Sequence, residues 1–149
     1  MINVRAAVFE GFRFIFDNES SHMTLKLVLP SLGNFIHDRS ERVQLQLLQL
    51  LLDVKHVRHI RFFDIVTVDN LLLRLQSASP RVSSAIVKLL LNSYFPYGKP
   101  AVNQLSRALS FLRTHPAAAK VFFSKVWPRV FFSIFLCFLQ FYIYCFLLN

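Results

Sequence analysis

Apolar residues over the first 126 positions recur at steps of four, four and three, and the recurrence itself repeats every 39 residues. Val4, Val8, Phe12 and Ile15 return as Val43, Leu47, Leu51 and Val54, and again as Val82, Ile86 and Leu90. Such steps line side chains along one stripe of an α-helix, the arrangement that burial against neighbouring helices requires. A second helix precedes each of these. Leu29, Leu32 and Ile36 return 39 residues later as Val68, Leu71 and Leu75. Each unit therefore reads as a helical hairpin, with Val4, Val43 and Val82 expected in equivalent buried positions. Val121 keeps the phase of the first stripe, but Lys125 falls on the next apolar position, so a fourth unit is expected to be partial.

The punctuation agrees with hairpins. His37 to Ser40 separate the helices of one unit and Gln76 to Pro80 those of the next, where Ser79 is placed to cap a helix that begins at Pro80. Phe95 to Pro100 form a loop rich in helix breakers. No segment alternates apolar and polar residues long enough to argue for a sheet. The expected fold is all-α: a HEAT-type solenoid of paired helices over 1–126, reading as a piece of a longer array, followed by a hydrophobic helix over 127–149.

Composition divides the chain at the same place. It has 149 residues, 54% of them apolar. Residues 127–149 hold 18 apolar positions out of 23, which leaves the body with the balance of a soluble domain. Cys137 and Cys145 both lie in the tail, so the body carries no disulfide, thiolate zinc site or cysteine nucleophile. Secretion is not expected either, because Glu10, Arg13 and Asp17 interrupt any apolar leader.

Charge is distributed just as unevenly. All eight acidic residues precede position 70, where eight Lys and Arg balance them, so the net +9 resides in the remainder. That asymmetry points to a polyanionic partner. Arg74, Arg81 and Lys88, seven apart, together with Arg107 and Arg113, are the candidate DNA-binding residues, reaching phosphates rather than base edges.

Other chemistry is sparse. Asp53, His56 and His59 have a spacing that a divalent metal could use, but Lys55, Arg58 and Arg61 interleave with them and oppose it, so a solvated or phosphate-facing basic helix is the expectation and no metal is assigned. Three isolated glycines form no nucleotide-cradling loop, and no Ser, His and acid set stands in a recognisable context. The expectation is a non-catalytic scaffold without cofactor. Ser79–Pro80 also fits a proline-directed kinase, although the capping role explains the pair alone. Val130 to Leu148 is long and apolar enough for a membrane anchor, preceded by Lys120, Lys125 and Arg129. Its Phe, Leu, Ile, Tyr, Cys and Ser content equally fits translation of thymine-rich noncoding sequence.

Five strings in order, VRAAVFEGFRFI (Val4 to Ile15), LPSLGNFIHDRSERV (Leu29 to Val43), LLRLQSASPRV (Leu72 to Val82), NSYFP (Asn92 to Pro96) and HPAAAK (His115 to Lys120), resemble part of the G-type HEAT-repeat subunit of condensin II. The resemblance implies a nuclear, chromosome-associated protein that binds the kleisin subunit and DNA in mitotic chromosome condensation, with ATP hydrolysis left to the SMC partners and no catalytic residue here. That family is far longer and continues past the HPAAAK string with polar helical sequence. The Phe-rich tail departs from its pattern. A truncated or misread product is then the first account of the tail, and insertion of Val130 to Leu148 into an internal membrane is the alternative.

Overall fold

The computed structural model describes residues 2–126, and these are helical with short connections and no strand among them. α1 spans Ile2–Ile15. A 3₁₀ turn, Glu19–Ser21, leads into α2, His22–Val28, which tightens directly into a 3₁₀ helix over Leu29–His37. α3 is Glu41–Val54, α4 the single turn Phe62–Ile65, α5 Val68–Ser77, α6 Pro80–Tyr94 and α7 Ala101–Thr114. A further helical run occupies 116–126.

The helices sort into two layers, with the connections at Asp38 to Ser40 and at Ala78 and Ser79 folding one helix back on the next. α3 packs on α1 on one side and on α6 on the other, while the 3₁₀ helix and α5 lie along the second layer and each packs on the partner that follows it, α3 and α6. Between the layers run Leu29, Ile36, Val43, Leu47, Leu51, Leu71, Leu75, Val82, Ile86 and Leu90, all nearly or wholly excluded from solvent. Each such side chain contributes roughly 1.5–3 kcal/mol by leaving water, so the interlayer seam holds the fold together. The segment Leu45 to Val54 is helix, and the 39-residue shift from α3 to α6 superposes buried positions, Val43 on Val82 and Leu47 on Ile86.

Elsewhere the spacing needs correction. In α1 and the turn after it the residues that face the core are Ala6, Phe9 and Phe16, with Phe12 half-buried, whereas Val4 is 69% exposed and Val8 and Ile15 also face outward. A shift of 38, not 39, brings Ala6, Phe9 and Phe16 onto buried Gln44, Leu47 and Val54. Val4 is therefore not equivalent to Val43. α1 carries two apolar stripes about a quarter-turn apart, and spacing alone does not say which one meets α3. In the last unit the shift is 40: Val82 and Ile86 correspond to Phe122 and Val126, both buried, so the fourth row is apolar and Lys125 stands beside it. One additional residue after α6 moves the phase. The loop that holds it turns at Gly98, whose φ of 80° suits glycine.

Aromatic packing closes that unit. Tyr94 stacks on Phe111 with ring centroids 3.8 Å apart, and Phe122 meets Phe111 edge-on at 5.5 Å, so α6, α7 and the 116–126 run share one cluster. At the other end the 3₁₀ helix passes α4 so closely that a Cβ added to Gly33 would lie 2.2 Å from the Ile65 carbonyl oxygen. Only glycine permits that approach.

Polar side chains fasten the hairpin turns. Ser79 caps α6 by accepting from the Val82 N–H and donates to Glu41 Oε1 at 2.7 Å. Buried Gln44 donates to the Asp38 carbonyl and accepts from Arg74 Nη2 at 3.1 Å, so both ends of its amide are paired. Asp38 in turn pairs with Arg5 at 2.7 Å.

Candidate nucleic-acid interface

The five candidate phosphate-binding residues come from three helices, α5, α6 and α7. Arg74, on α5, is drawn into the hairpin seam by Gln44. Arg81, at the start of α6, borders a shallow groove of about 540 Å³ that also has Arg13, Arg42 and Glu41 on its walls. Lys88, further along α6, lies beside Lys125 and Tyr97. Arg107 reaches back from α7 to donate from Nη1 to the Ser93 carbonyl at 3.1 Å, and Arg113 is exposed near the end of α7. Arg74 and Arg81 thus sit on the two helices of one hairpin, with the break at Ala78 and Ser79 between them.

The stretch from Lys55 to Arg61 is a turn and not a helix. α3 stops at Val54, the Val57 N–H bonds the Val54 carbonyl, and the chain then crosses to α4. The helical face therefore ends before His56 and His59, although Asp53, His56 and His59 still line one open depression. Asp53 is instead held by Arg13 of α1 and accepts from Gln49 Nε2 at 3.1 Å. The Lys55 ammonium donates to the Leu89 carbonyl at 2.8 Å, and partial burial pushes its pKa below the usual lysine range.

Two open depressions flank the turn. One, of about 570 Å³, is lined by Lys55, His56, Arg58, Arg61 and Phe63 among others and by no carboxylate. The other, of about 650 Å³, shares His56 and Arg58 but is closed on the α1 side by Asp17 and Glu19. Sequence reading registered the charges of this stretch but missed their exclusion of acids from one side; the signal available was the absence of any Asp or Glu between Asp53 and Asp64.

A basic face on a layered helical array leaves many families open, and sequence similarity narrows them. The chain is 35% identical to the condensin-2 complex subunit G2 of Danio rerio over 125 residues, 84% of this chain and 11% of that protein. Against the Xenopus laevis subunit of the same name it is 36% identical over 127 residues, 85% of this chain and 11% of that protein. The Homo sapiens subunit gives 35% over 121 residues, again 11% of its length. The chain is related to part of the condensin-2 G2 subunit. It spans about a ninth of the length of these curated relatives. No protein-family model matches the chain, and no solved structure gives a significant match. Among the described residues no helix is long and apolar enough to cross a membrane; the Val130 to Leu148 segment and both cysteines lie outside them.

Proposed function

We propose that the chain acts as a non-catalytic, HEAT-type repeat scaffold of a condensin II assembly, binding the kleisin subunit and the DNA phosphate backbone at chromosomes in the nucleus. The relation to condensin-2 G2 subunits over more than four-fifths of the chain carries this reading. Two stacked layers with an acid-free second half suit it, since a solenoid offers long surfaces rather than a pocket for chemistry. ATP hydrolysis then belongs to the SMC partners, and this chain contributes no catalytic residue, metal or cofactor.

Co-purification of the 149-residue chain with the condensin II kleisin tests the scaffold role: retention supports it, and loss of both kleisin and duplex DNA binding rejects it. Contacts through Arg74, Arg81, Lys88, Arg107 and Arg113 would act by counterion release, so neutralising several should flatten the plot of log affinity against log salt by about 0.9 per lost phosphate contact. Deleting 130–149 and locating the product separates a chromosomal protein from one anchored in an internal membrane.

A further inference from the structure

Between α3 and α4 the chain runs Lys55-His56-Val57-Arg58-His59-Ile60-Arg61, five nitrogen-bearing side chains in seven residues. Two apolar residues in this run anchor it: Ile60 is buried and Val57 half-buried, which turns the polar members outward. The Arg61 guanidinium sits 5.6 Å from the centre of the exposed Phe63 ring, a contact that limits its freedom before any ligand arrives. Lys55 and Arg107 meet the carbonyls of Leu89 and Ser93, one turn apart near the C-terminal end of α6. α6 has no basic residue of its own in its last turn, and Arg107 of α7 supplies the cation at the negative end of its dipole. Arg107 thereby joins the same edge of the molecule as the 55–61 turn.

The shape of this edge selects its ligand. A single phosphate is usually held by converging amides of a glycine-bearing nest, and this turn contains no glycine. Its cations are instead spread along an open surface, the arrangement that suits a polymer of repeated charges. Asp17 and Glu19 bar the α1 side, whereas the depression containing Lys55, Arg58 and Arg61 has no acid on its walls, and Lys55 ties it to α6, the helix whose Ser93 carbonyl holds Arg107. We infer that the 55–61 turn, with Arg58 and Arg61 as its principal contacts and Arg107 extending it, is a binding site for the phosphate backbone of duplex DNA. The inference rests on the DNA-binding reading above and centres it on Arg58 and Arg61, which the five-residue assignment did not contain, with Arg107 as the one member shared.

Anisotropy of a fluorescent duplex, titrated with the full 149-residue chain over a range of salt, tests it. Arg58→Gln with Arg61→Gln should weaken binding roughly tenfold at low salt and reduce the salt slope by about two. Lys55 is left intact because it ties the turn to α6. Arg58→Lys with Arg61→Lys keeps the charges and should retain most of the affinity and the original slope. If the lysine pair loses as much as the glutamine pair, the effect is structural and the site is rejected. If the glutamine pair binds like the parent while Arg81→Gln with Lys88→Gln loses affinity, the site is rejected and the DNA reading stands. Failure of the parent chain to bind duplex even at low salt removes both.

Discussion

α1 and α3 present the same apolar spacing and use it differently. In α3 the residues at steps of four, four and three, Val43, Leu47, Leu51 and Val54, are wholly excluded from solvent. In α1 the matching Val4, Val8 and Ile15 face outward while Ala6 and Phe9 do the packing. The difference lies in neighbours. α3 is enclosed by α1, α6 and the 3₁₀ helix, whereas α1 packs chiefly on α3 alone. The side of α3 that Val4, Val8 and Ile15 match in the corrected register holds Arg42, Gln46 and Asp53, and two of these reach α1: Gln46 toward Glu10 and Asp53 toward Arg13. Periodicity thus identifies a stripe, and the surroundings decide whether it is core.

The largest expected effect separates these helices directly. Leu47→Ala should cost about 2–5 kcal/mol, because it empties space enclosed on all sides. Val8→Ala on the outer stripe of α1 should stay within about 0.5 kcal/mol. Denaturant titration of both variants checks the contrast, and similar losses would return Val8 to the core. Next comes the approach of the 3₁₀ helix to α4: Gly33→Ala places a methyl against the Ile65 carbonyl and should destabilise by about 1–3 kcal/mol. Gly11 sits on α1 with open space around its Cα, so Gly11→Ala should be neutral or slightly stabilising by the same measurement.

Caps extend the comparison to equivalent turns. Ser79→Ala removes a capping bond to the Val82 N–H and should cost about 1 kcal/mol. Ser40 stands at the same place before α3 but makes no side-chain cap bond, so Ser40→Ala should change thermal stability little. The smallest effect concerns pH. Burial, and then the charge of Asp69, raise the Tyr94 phenol above its ordinary value. The unfolded chain therefore ionises Tyr94 at lower pH than the folded chain does. Stability from this group is intact below about pH 10 and declines as pH rises through the folded value. Tyr94→Phe should shallow that alkaline decline, as followed by denaturant midpoints across the range.

The helical class, the two-layer pairing and the α3-to-α6 register were legible in the sequence, because steps of three and four recur at a constant separation in Val43, Leu47 and Leu51 and in Val82, Ile86 and Leu90. The Ser79 cap was legible for a similar reason, since a cap depends on residues within one turn of each other. The condensin II resemblance was legible in the strings themselves. What a linear pattern does not encode is the neighbour. Whether Val4 or Ala6 faces α3, whether Lys125 or Val126 completes the last row, and whether 55–61 continues a helix or turns were settled by packing. Both stripes on α1 are apolar, and what lies against them decides which is buried. The same holds for charge: Arg74 and Arg107 are alike as residues, but the Gln44 amide oxygen draws one into a seam and the Ser93 carbonyl holds the other at the end of α6, because only the folded chain brings those oxygens within reach.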